Sequence, residues 1–245
     1  MKSLVAAIAF LTTFPVGRLV ACDASDVARS AGWFPLVGAI LGLIDYLAAS
    51  LLKDRLPLGV VAVLLVILDA LLTGALHLDG LADTADGFGG GRSREDVLRI
   101  MRDHNIGSYG GVALVALVAL KVTAYAALLN RGNWIPAAIL TPVLGRWSML
   151  LLTATLPYAR PSESVIDGMG KRSLLWGTVA LLAALATAAS VRASIATGVV
   201  IAVSAAFGLY CRRRIGGITG DTLGANLQLS ESAALLAFLW AVRPQ

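Results

Sequence analysis

Apolar residues dominate long stretches of this chain, and charged residues are concentrated in the intervals between them. A helix needs about 20 apolar residues to cross the hydrocarbon core of a bilayer. Seven stretches approach this length and predict transmembrane helices at 33–52, 57–76, 108–129, 134–157, 174–190, 194–210 and 229–242. The last stretch is short, but a helix that runs from Asp221 to Val242 is long enough to cross.

The first 30 residues form a different kind of segment. Their short apolar piece ends in Phe14-Pro15-Val16-Gly17, where proline interrupts regular helix. We expect an interfacial or re-entrant element here. The predicted fold is all-α, a polytopic transmembrane bundle of about seven spans that forms one integral-membrane domain over residues 1–245.

The composition supports a membrane protein. Hydrophobic residues make up 58% of the chain and charged residues 14%, and the mean hydropathy is +0.80, which excludes an ordinary soluble domain. The net charge of +5 does not indicate nucleic acid, because the basic residues are spread through loops. Cys22 and Cys211 lie far apart and are predicted to be free thiols.

The distribution of lysine and arginine predicts the orientation. The loops within 1–32, 77–107, 158–173 and 211–228 carry thirteen basic residues, and the loops of the opposite side carry five. Cytoplasmic loops are enriched in basic residues. We therefore expect a multi-pass protein of the cytoplasmic (inner) membrane, with the N-terminus inside and the C-terminus outside.

A group of carboxylates follows the second apolar stretch. Asp79, Asp83 and Asp86 are spaced four and three residues apart, which places them on one stripe of a helix. Like charges on one stripe repel each other, so a neutralising cation is expected. Asp221 opens the last predicted span from the same membrane side and can reach the stripe. Oxygen ligands of this kind favour Mg²⁺, held by carboxylates and substrate phosphates.

The segment after the stripe is suited to an anion. Gly89-Gly90-Gly91 ends the helix and exposes backbone N–H groups. Arg92 and Arg94 follow, and arginine matches phosphate oxygens well, so these two are candidate contacts for a phosphorylated substrate. Asp103 is a candidate ligand, general base or helix N-terminal partner.

Several polar residues within or beside the spans need partners. His77 is expected either to hydrogen-bond within the protein or to contact substrate. Asp45, Asp69, Lys121 and Arg146 fall near membrane depth, where unpaired charge is costly. They are predicted to form ion pairs or to line a wet cavity, and Arg146 is the candidate among them for a substrate contact.

Three segments together resemble a known family. Residues 77–87 read His-Leu-Asp-Gly-Leu-Ala-Asp-Thr-Ala-Asp-Gly, residues 101–103 read Met-Arg-Asp, and residues 217–225 read Gly-Ile-Thr-Gly-Asp-Thr-Leu-Gly-Ala. The combination closely resembles the cobalamin synthase family, adenosylcobinamide-GDP ribazoletransferase. Arg146, Glu231 and the segment 157–160, which ends in Arg160, also match.

The resemblance implies an integral-membrane catalytic domain acting late in vitamin B12 assembly. Family members transfer cobinamide phosphate from adenosylcobinamide-GDP to α-ribazole or its 5′-phosphate, release GMP and require Mg²⁺. By this hypothesis the metal lies on the cytoplasmic side, with Asp103 or a metal-site aspartate such as Asp86 taking the proton. The candidate metal ligands are Asp79, Asp83, Asp86 and Asp221, and the candidate substrate contacts are His77, Arg92, Arg94, Arg146 and Arg160.

Other classes stay open at this point. A CDP-alcohol phosphotransferase also uses aspartates at helix ends, but its Asp-Gly-x-x-Ala-Arg arrangement is missing, since this chain reads Asp79-Gly80-Leu81-Ala82-Asp83. A prenyl transferase needs a second aspartate-rich motif, whereas the second segment offers only Asp221. A transporter accounts for the charges at membrane depth and predicts flux without product. An oligomer is compatible with the sequence.

Overall fold

The structure is a computed structural model that describes residues 2–18, 23–103, 105–131, 134–160, 169–188 and 190–240. These residues are almost entirely helical. The α-helices are α1 (Lys2–Leu11), α2 (Ala24–Ser30), α3 (Phe34–Leu52), α4 (Leu58–Thr73), α5 (Leu76–Gly90), α6 (Arg94–Ile100), α7 (Ser108–Asn130), α8 (Ile135–Thr155), α9 (Lys171–Ala188), α10 (Val191–Ile215) and α11 (Gly220–Trp240). Cys22 and the end of the last predicted span, 241–242, lie outside the described residues.

Local signals explain many of the helix boundaries. Asp23 caps α2 by accepting a hydrogen bond from the Asp26 N–H, and the Asp26 side chain reaches back to the Asp23 N–H as in a capping box. Ser93 and Ser190 cap α6 and α10 in the same way, through N–H groups three residues on. The all-α fold predicted from the apolar pattern is therefore confirmed.

Fewer helices are long and apolar enough to span a membrane than the sequence predicts. Helices form at all seven predicted positions, yet within the described residues four segments are long and apolar enough to cross a membrane, namely Ser25–Leu52, Ser108–Asn130, Ile135–Thr155 and Val191–Ile215. A fifth is added if α4 and α5 together form one broken span. The count of about seven spans is therefore not confirmed.

A sharp bend separates α4 from α5. The two helix axes differ by 92°, and the break lies at Gly74 and Ala75, which both have left-handed backbone conformations, with φ of 61° and 57°. Glycine favours this conformation because it has no Cβ. The bend turns the acidic helix α5 sideways out of the direction of α4.

The centre of the bundle is formed by α8 and α11. In the most apolar stretch of α8, 78% is buried inside the protein, compared with 28% in α10 and 33% in α7. The outer helices expose large apolar side chains such as Val112 and Val115, as expected for surfaces that face lipid. Because α11 contacts α5, α7, α8 and α10, its first turn lies next to the acidic helix.

The N-terminal segment begins with a short helix rather than a span. Helix α1 has only 10 residues, too few to cross a bilayer, and it packs on α2 and α3. This length is compatible with the expected interfacial or re-entrant element, which stays a prediction. Its last turn brings Phe10 against Phe34 at the start of α3.

Candidate active site

A cavity of about 230 Å³ lies where the first turns of α5 and α11 meet α1, α3 and α8. Two carboxylates line it, Asp79 from α5 and Asp221 from α11. The other polar side chains in the wall are His77, Thr153 and Tyr158, and most of the remaining wall is apolar. The cavity thus joins an acidic edge to an apolar interior.

Close packing of two glycines holds the carboxylates together. A Cβ on Gly80 would lie 2.8 Å from the backbone oxygen of Asp221 and 3.3 Å from the Cα of Gly224. Only a residue without a side chain permits this approach of α5 to α11. The fourth carboxylate predicted to reach the acidic stripe therefore does so, at Asp79.

Asp221 lies among charges of both signs. The Arg160 guanidinium is 3.5 Å from its Oδ2, and the Thr219 hydroxyl donates to the same oxygen over 3.3 Å. Burial raises the pKa of the Asp221 carboxyl above its ordinary value, and the negative charge of Asp79 adds to this increase. This increase is partly offset by three groups that lower the pKa, namely Arg160, Thr219 and Arg102. An added cation would relieve the remaining cost of ionising Asp221.

Arg160 is positioned by a short stretch of backbone pairing. The Ala159 N–H donates to the Ile218 carbonyl over 2.7 Å, and the Ile218 N–H donates to the Pro157 carbonyl over 2.9 Å. This pairing fixes the segment before Arg160 beside the start of α11. The Arg160 guanidinium also donates to the Leu98 carbonyl. Arg160 is thus placed at the carboxylate edge, and its role as a substrate contact stays a prediction.

The three aspartates of α5 have different surroundings. Asp79 is exposed, Asp83 is half-buried and Asp86 is buried. Asp86 accepts hydrogen bonds from the Gly107 N–H over 2.7 Å and the Gly110 N–H over 2.9 Å, at the N-terminus of α7. The carboxylate therefore caps α7 from a neighbouring helix. This structural role was not foreseen, and the metal and catalytic roles of Asp86 stay predictions.

The donor chemistry of the acidic edge is compatible with Mg²⁺. No group of three or more histidine, cysteine, aspartate or glutamate side chains is arranged to hold a metal within the described part of the chain. However, Mg²⁺ is commonly held by one or two carboxylates, with water and substrate phosphates supplying the other ligands. Asp79 and Asp221 provide two such groups at the cavity, and Asp83 lies one turn along α5.

The arginine-rich segment is used partly for structure. Arg94 donates to the Ile215 carbonyl over 2.8 Å and to the Ala159 carbonyl over 2.9 Å, so its guanidinium ties α6 to α10. Arg92 is exposed, and neither arginine lines the cavity. Asp103 is exposed and accepts hydrogen bonds from the backbone and side chain of Asn105. The substrate and catalytic roles of these three residues stay predictions.

His77 lies in the interior wall of the cavity. Its side chain is 2% exposed, and its Nε2 atom has no hydrogen-bond partner among the described residues. A buried polar atom of this kind is costly to leave unpaired. The residue is therefore placed where it can meet a ligand, as well as where it can pack.

Arg146 belongs to a second group of charges, in which Arg146, Lys121 and Glu231 are buried and Asp69 is partly exposed. Arg146 pairs with Glu231, which also accepts a hydrogen bond from Lys121 over 2.6 Å. Lys121 is 3.8 Å from Asp69. The predicted ion pairing at membrane depth is thus confirmed for Asp69, Lys121 and Arg146. Arg146 does not line the cavity, and its substrate role stays a prediction.

Comparison with known proteins now identifies the family. Residues 3–239 match the family described as cobalamin-5-phosphate synthase. The chain belongs to this family.

Its relatives cover nearly the whole chain. A Clostridium botulinum (strain Okra) adenosylcobinamide-GDP ribazoletransferase is 37% identical over 236 residues, 95% of each chain. Proteins of the same name from Syntrophobacter fumaroxidans and Pseudomonas aeruginosa are each 39% identical, covering 94% and 97% of this chain and 95% and 97% of their own. No solved structure matches the chain.

Membership of the cobalamin-5-phosphate synthase family decides between the classes that the sequence left open. The CDP-alcohol, prenyl-transferase and transporter interpretations have no support from these relatives. The resemblance read from the three motifs is confirmed. The single-domain prediction for residues 1–245 is not tested by these comparisons and stays a prediction.

Sequence reasoning missed much of the cavity wall in this member of the family. Phe10, Phe34 and Met149 line the cavity, but apolar residues in an apolar chain carry no distinguishing signal. Arg102 was passed over in favour of Arg92 and Arg94, yet its charge acts on Asp221. Its place in the matching Met-Arg-Asp segment was the signal that could have found it.

Proposed function

We propose that the protein transfers the cobinamide-phosphate group of adenosylcobinamide-GDP to α-ribazole or its 5′-phosphate, with release of GMP. The observation that carries this proposal is the meeting of Asp79 and Asp221 at one cavity in a chain of the cobalamin-5-phosphate synthase family. Relatives named adenosylcobinamide-GDP ribazoletransferase support the choice of substrates.

The proposal includes a requirement for Mg²⁺. Asp79 and Asp221 would hold the ion, and Asp83 is the next oxygen donor along α5. When bound, the ion supplies positive charge that neutralises the diphosphate and stabilises the leaving phosphate. Arg160 adds a guanidinium beside Asp221, so part of the substrate charge is matched by the protein itself.

The proposed reaction is a phosphoryl-group displacement. A ribose hydroxyl oxygen of the acceptor attacks the phosphorus that carries the cobinamide arm, and a new P–O bond forms. The P–O bond between that phosphorus and GMP breaks, and GMP takes the electron pair. The hydroxyl proton passes to a carboxylate at the acidic edge or to Asp103, and then to water.

We place the site on the cytoplasmic side of the inner membrane, with the N-terminus inside. Arg102 and Arg160 lie near the acidic edge, since the charges of both act on Asp221. Basic residues there support this orientation, because cytoplasmic loops are enriched in lysine and arginine. Thiol labelling of Arg99→Cys in a Cys22→Ser background would test it, because Arg99 is exposed and Cys211 is buried. Labelling in inverted vesicles but not in intact cells is expected, and the reverse pattern would contradict the orientation.

The activity test uses the full chain in detergent or liposomes. Adenosylcobinamide-GDP and α-ribazole 5′-phosphate are supplied together and separately, with and without Mg²⁺, and GMP and the corrinoid product are measured. GMP is expected only when both substrates and Mg²⁺ are present. GMP release without the acceptor would indicate a hydrolase, and turnover in chelator would remove the metal from the proposal.

A further inference from the structure

The cavity is too small for the donor's corrin ring. Pockets that enclose drug-sized ligands have volumes of about 300–1,000 Å³, and this cavity measures about 230 Å³. A corrin with its side chains is larger than a drug-sized ligand, so it has to remain outside. Two flat groups among the proposed substrates are small enough to enter, the guanine of the donor and the base of the acceptor nucleoside.

The polarity of the wall separates these two groups. Guanine carries several donors and acceptors on its edges, and each needs a partner when it is buried. The interior wall is made mainly of apolar side chains, namely Phe10, Phe34, Met149, Leu150, Met169 and Leu223. A benzimidazole-type base is apolar around most of its edge and has one free ring nitrogen. The wall therefore matches the acceptor's base better than guanine.

An aromatic pair provides a flat surface. The rings of Phe10 and Phe34 are stacked, with centroids 5.9 Å apart and planes 20° apart. Phe34 is buried, and Phe10 is 37% exposed. Planar bases stack well on aromatic side chains. The pair thus offers a stacking platform inside the cavity.

One buried polar atom in the wall has no partner. His77 Nε2 is unpaired among the described residues, although the side chain is 2% exposed and lines the cavity. With its hydrogen on Nε2, a neutral imidazole can donate one hydrogen bond. The free ring nitrogen of the acceptor's base is an acceptor that matches this donor.

We propose that the cavity binds the aromatic base of the acceptor nucleoside, with His77 donating to its free ring nitrogen. The ribose then lies toward Asp79 and Asp221, where its hydroxyl meets the diphosphate of the donor. His77 acts as a specificity residue rather than as a participant in the bond changes. The inference rests on the proposed function, because it assigns one of that reaction's two substrates to this cavity.

The decisive experiment compares two variants and two acceptors. His77→Leu removes the donor, and His77→Gln keeps an N–H donor near the Nε2 position. We expect His77→Leu to raise the KM for α-ribazole about tenfold and to leave the KM for adenosylcobinamide-GDP unchanged. His77→Gln should recover most of the lost affinity for α-ribazole. The second acceptor is the indole analogue of α-ribazole, which lacks the free ring nitrogen.

The native protein should prefer α-ribazole to the indole analogue, and His77→Leu should use the two equally. Thr84→Val is the matched control, because Thr84 is on the same helix, is buried with an unpartnered hydroxyl among the described residues, and does not line the cavity. It should leave both KM values unchanged. The assignment of the base is overturned if His77→Leu lowers the rates with α-ribazole and with the indole analogue by the same factor. It is also overturned if His77→Leu raises the KM for adenosylcobinamide-GDP.

A binding measurement separates this inference from the proposed function. Equilibrium dialysis of labelled α-ribazole against the full detergent-solubilised chain needs no turnover. We expect His77→Leu and Phe10→Ala to weaken the binding of α-ribazole. We also expect that GDP does not displace α-ribazole. Displacement by GDP would place guanine in the cavity and overturn the inference while transfer activity stands. Absence of transfer by a native chain that binds α-ribazole would instead overturn the proposed function.

Discussion

Asp221 is the residue on which the proposed chemistry depends most directly. We expect Asp221→Asn to lower GMP release by at least about 100-fold, since even the loss of groups that only support metal ligands costs 10–100-fold in affinity or activity. The amide is close in shape to the carboxylate, so the thermal midpoint should change little. Steady-state rates measured across a range of Mg²⁺ concentrations check this.

The control for this prediction is Asp54→Asn. Asp54 is exposed in the turn between α3 and α4, away from the cavity. Its removal alters the charge of the protein by the same amount and should not change the rate. An Asp221→Asn protein that retains native turnover and Mg²⁺ dependence would contradict the metal assignment.

Asp86 makes a separate prediction, because its carboxylate caps α7. Asp86→Ala leaves the Gly107 and Gly110 N–H groups without their acceptor. Gly110 is buried, and an unpaired buried donor costs about 1–3 kcal/mol. The thermal midpoint in detergent should fall, and Asp86→Asn, which keeps one acceptor oxygen, should be intermediate. If Asp86→Asn abolishes turnover at an unchanged midpoint, Asp86 serves the reaction rather than the fold.

At the residue scale, sequence reasoning located the acidic edge but did not show that its aspartates have different roles. The helical spacing placed Asp79, Asp83 and Asp86 together, and the predicted topology placed Asp221 on the same membrane side. Spacing within one helix cannot show that Asp86 meets the N-terminus of α7, because that contact depends on how two helices cross. The pairing of Arg94 with backbone carbonyls was hidden for the same reason.

At the element scale, the close contact of α5 with α11 positions both carboxylates. We expect Gly80→Val to abolish turnover, because its Cβ would lie 2.8 Å from the Asp221 backbone oxygen and its methyl groups would push the helices apart. Gly111→Ala is the matched control, since a Cβ there meets nothing within 4 Å. Turnover and thermal midpoint of both variants check this, and native activity in Gly80→Val would contradict it.

The helices were easier to predict than their directions. Apolar length alone placed a helix at each of the seven stretches, including α9 and α11. The right-angle bend between α4 and α5 depends on Gly74 and on Ala75, and an alanine with positive φ has no signature in the sequence. Polar residues such as Asn226 and Gln228 lie buried in α11, which makes that helix less apolar than a lipid-facing span.

At the scale of the whole molecule, buried charges connect α4, α7, α8 and α11. The sequence predicted that Asp45, Asp69, Lys121 and Arg146 would form ion pairs or line a wet cavity, since isolated charge at membrane depth is costly. It could not show that Glu231 is the shared partner of Lys121 and Arg146, because Glu231 is far from both along the chain. The ion-pair cluster connects α8 and α11, two of the helices that line the cavity, with α4 and α7.

Glu231 should therefore matter for the stability of the entire bundle. Glu231→Gln removes the carboxylate that pairs with Lys121 and Arg146, which are 3% and 0% exposed, and breaking a buried pair costs about 3–5 kcal/mol. A clear fall in thermal midpoint is expected. Replacing Arg146 as well, in Glu231→Gln with Arg146→Met, should restore part of the loss, because an apolar side chain needs no partner. Losses that simply add in the double variant would show that the two residues do not act as a pair.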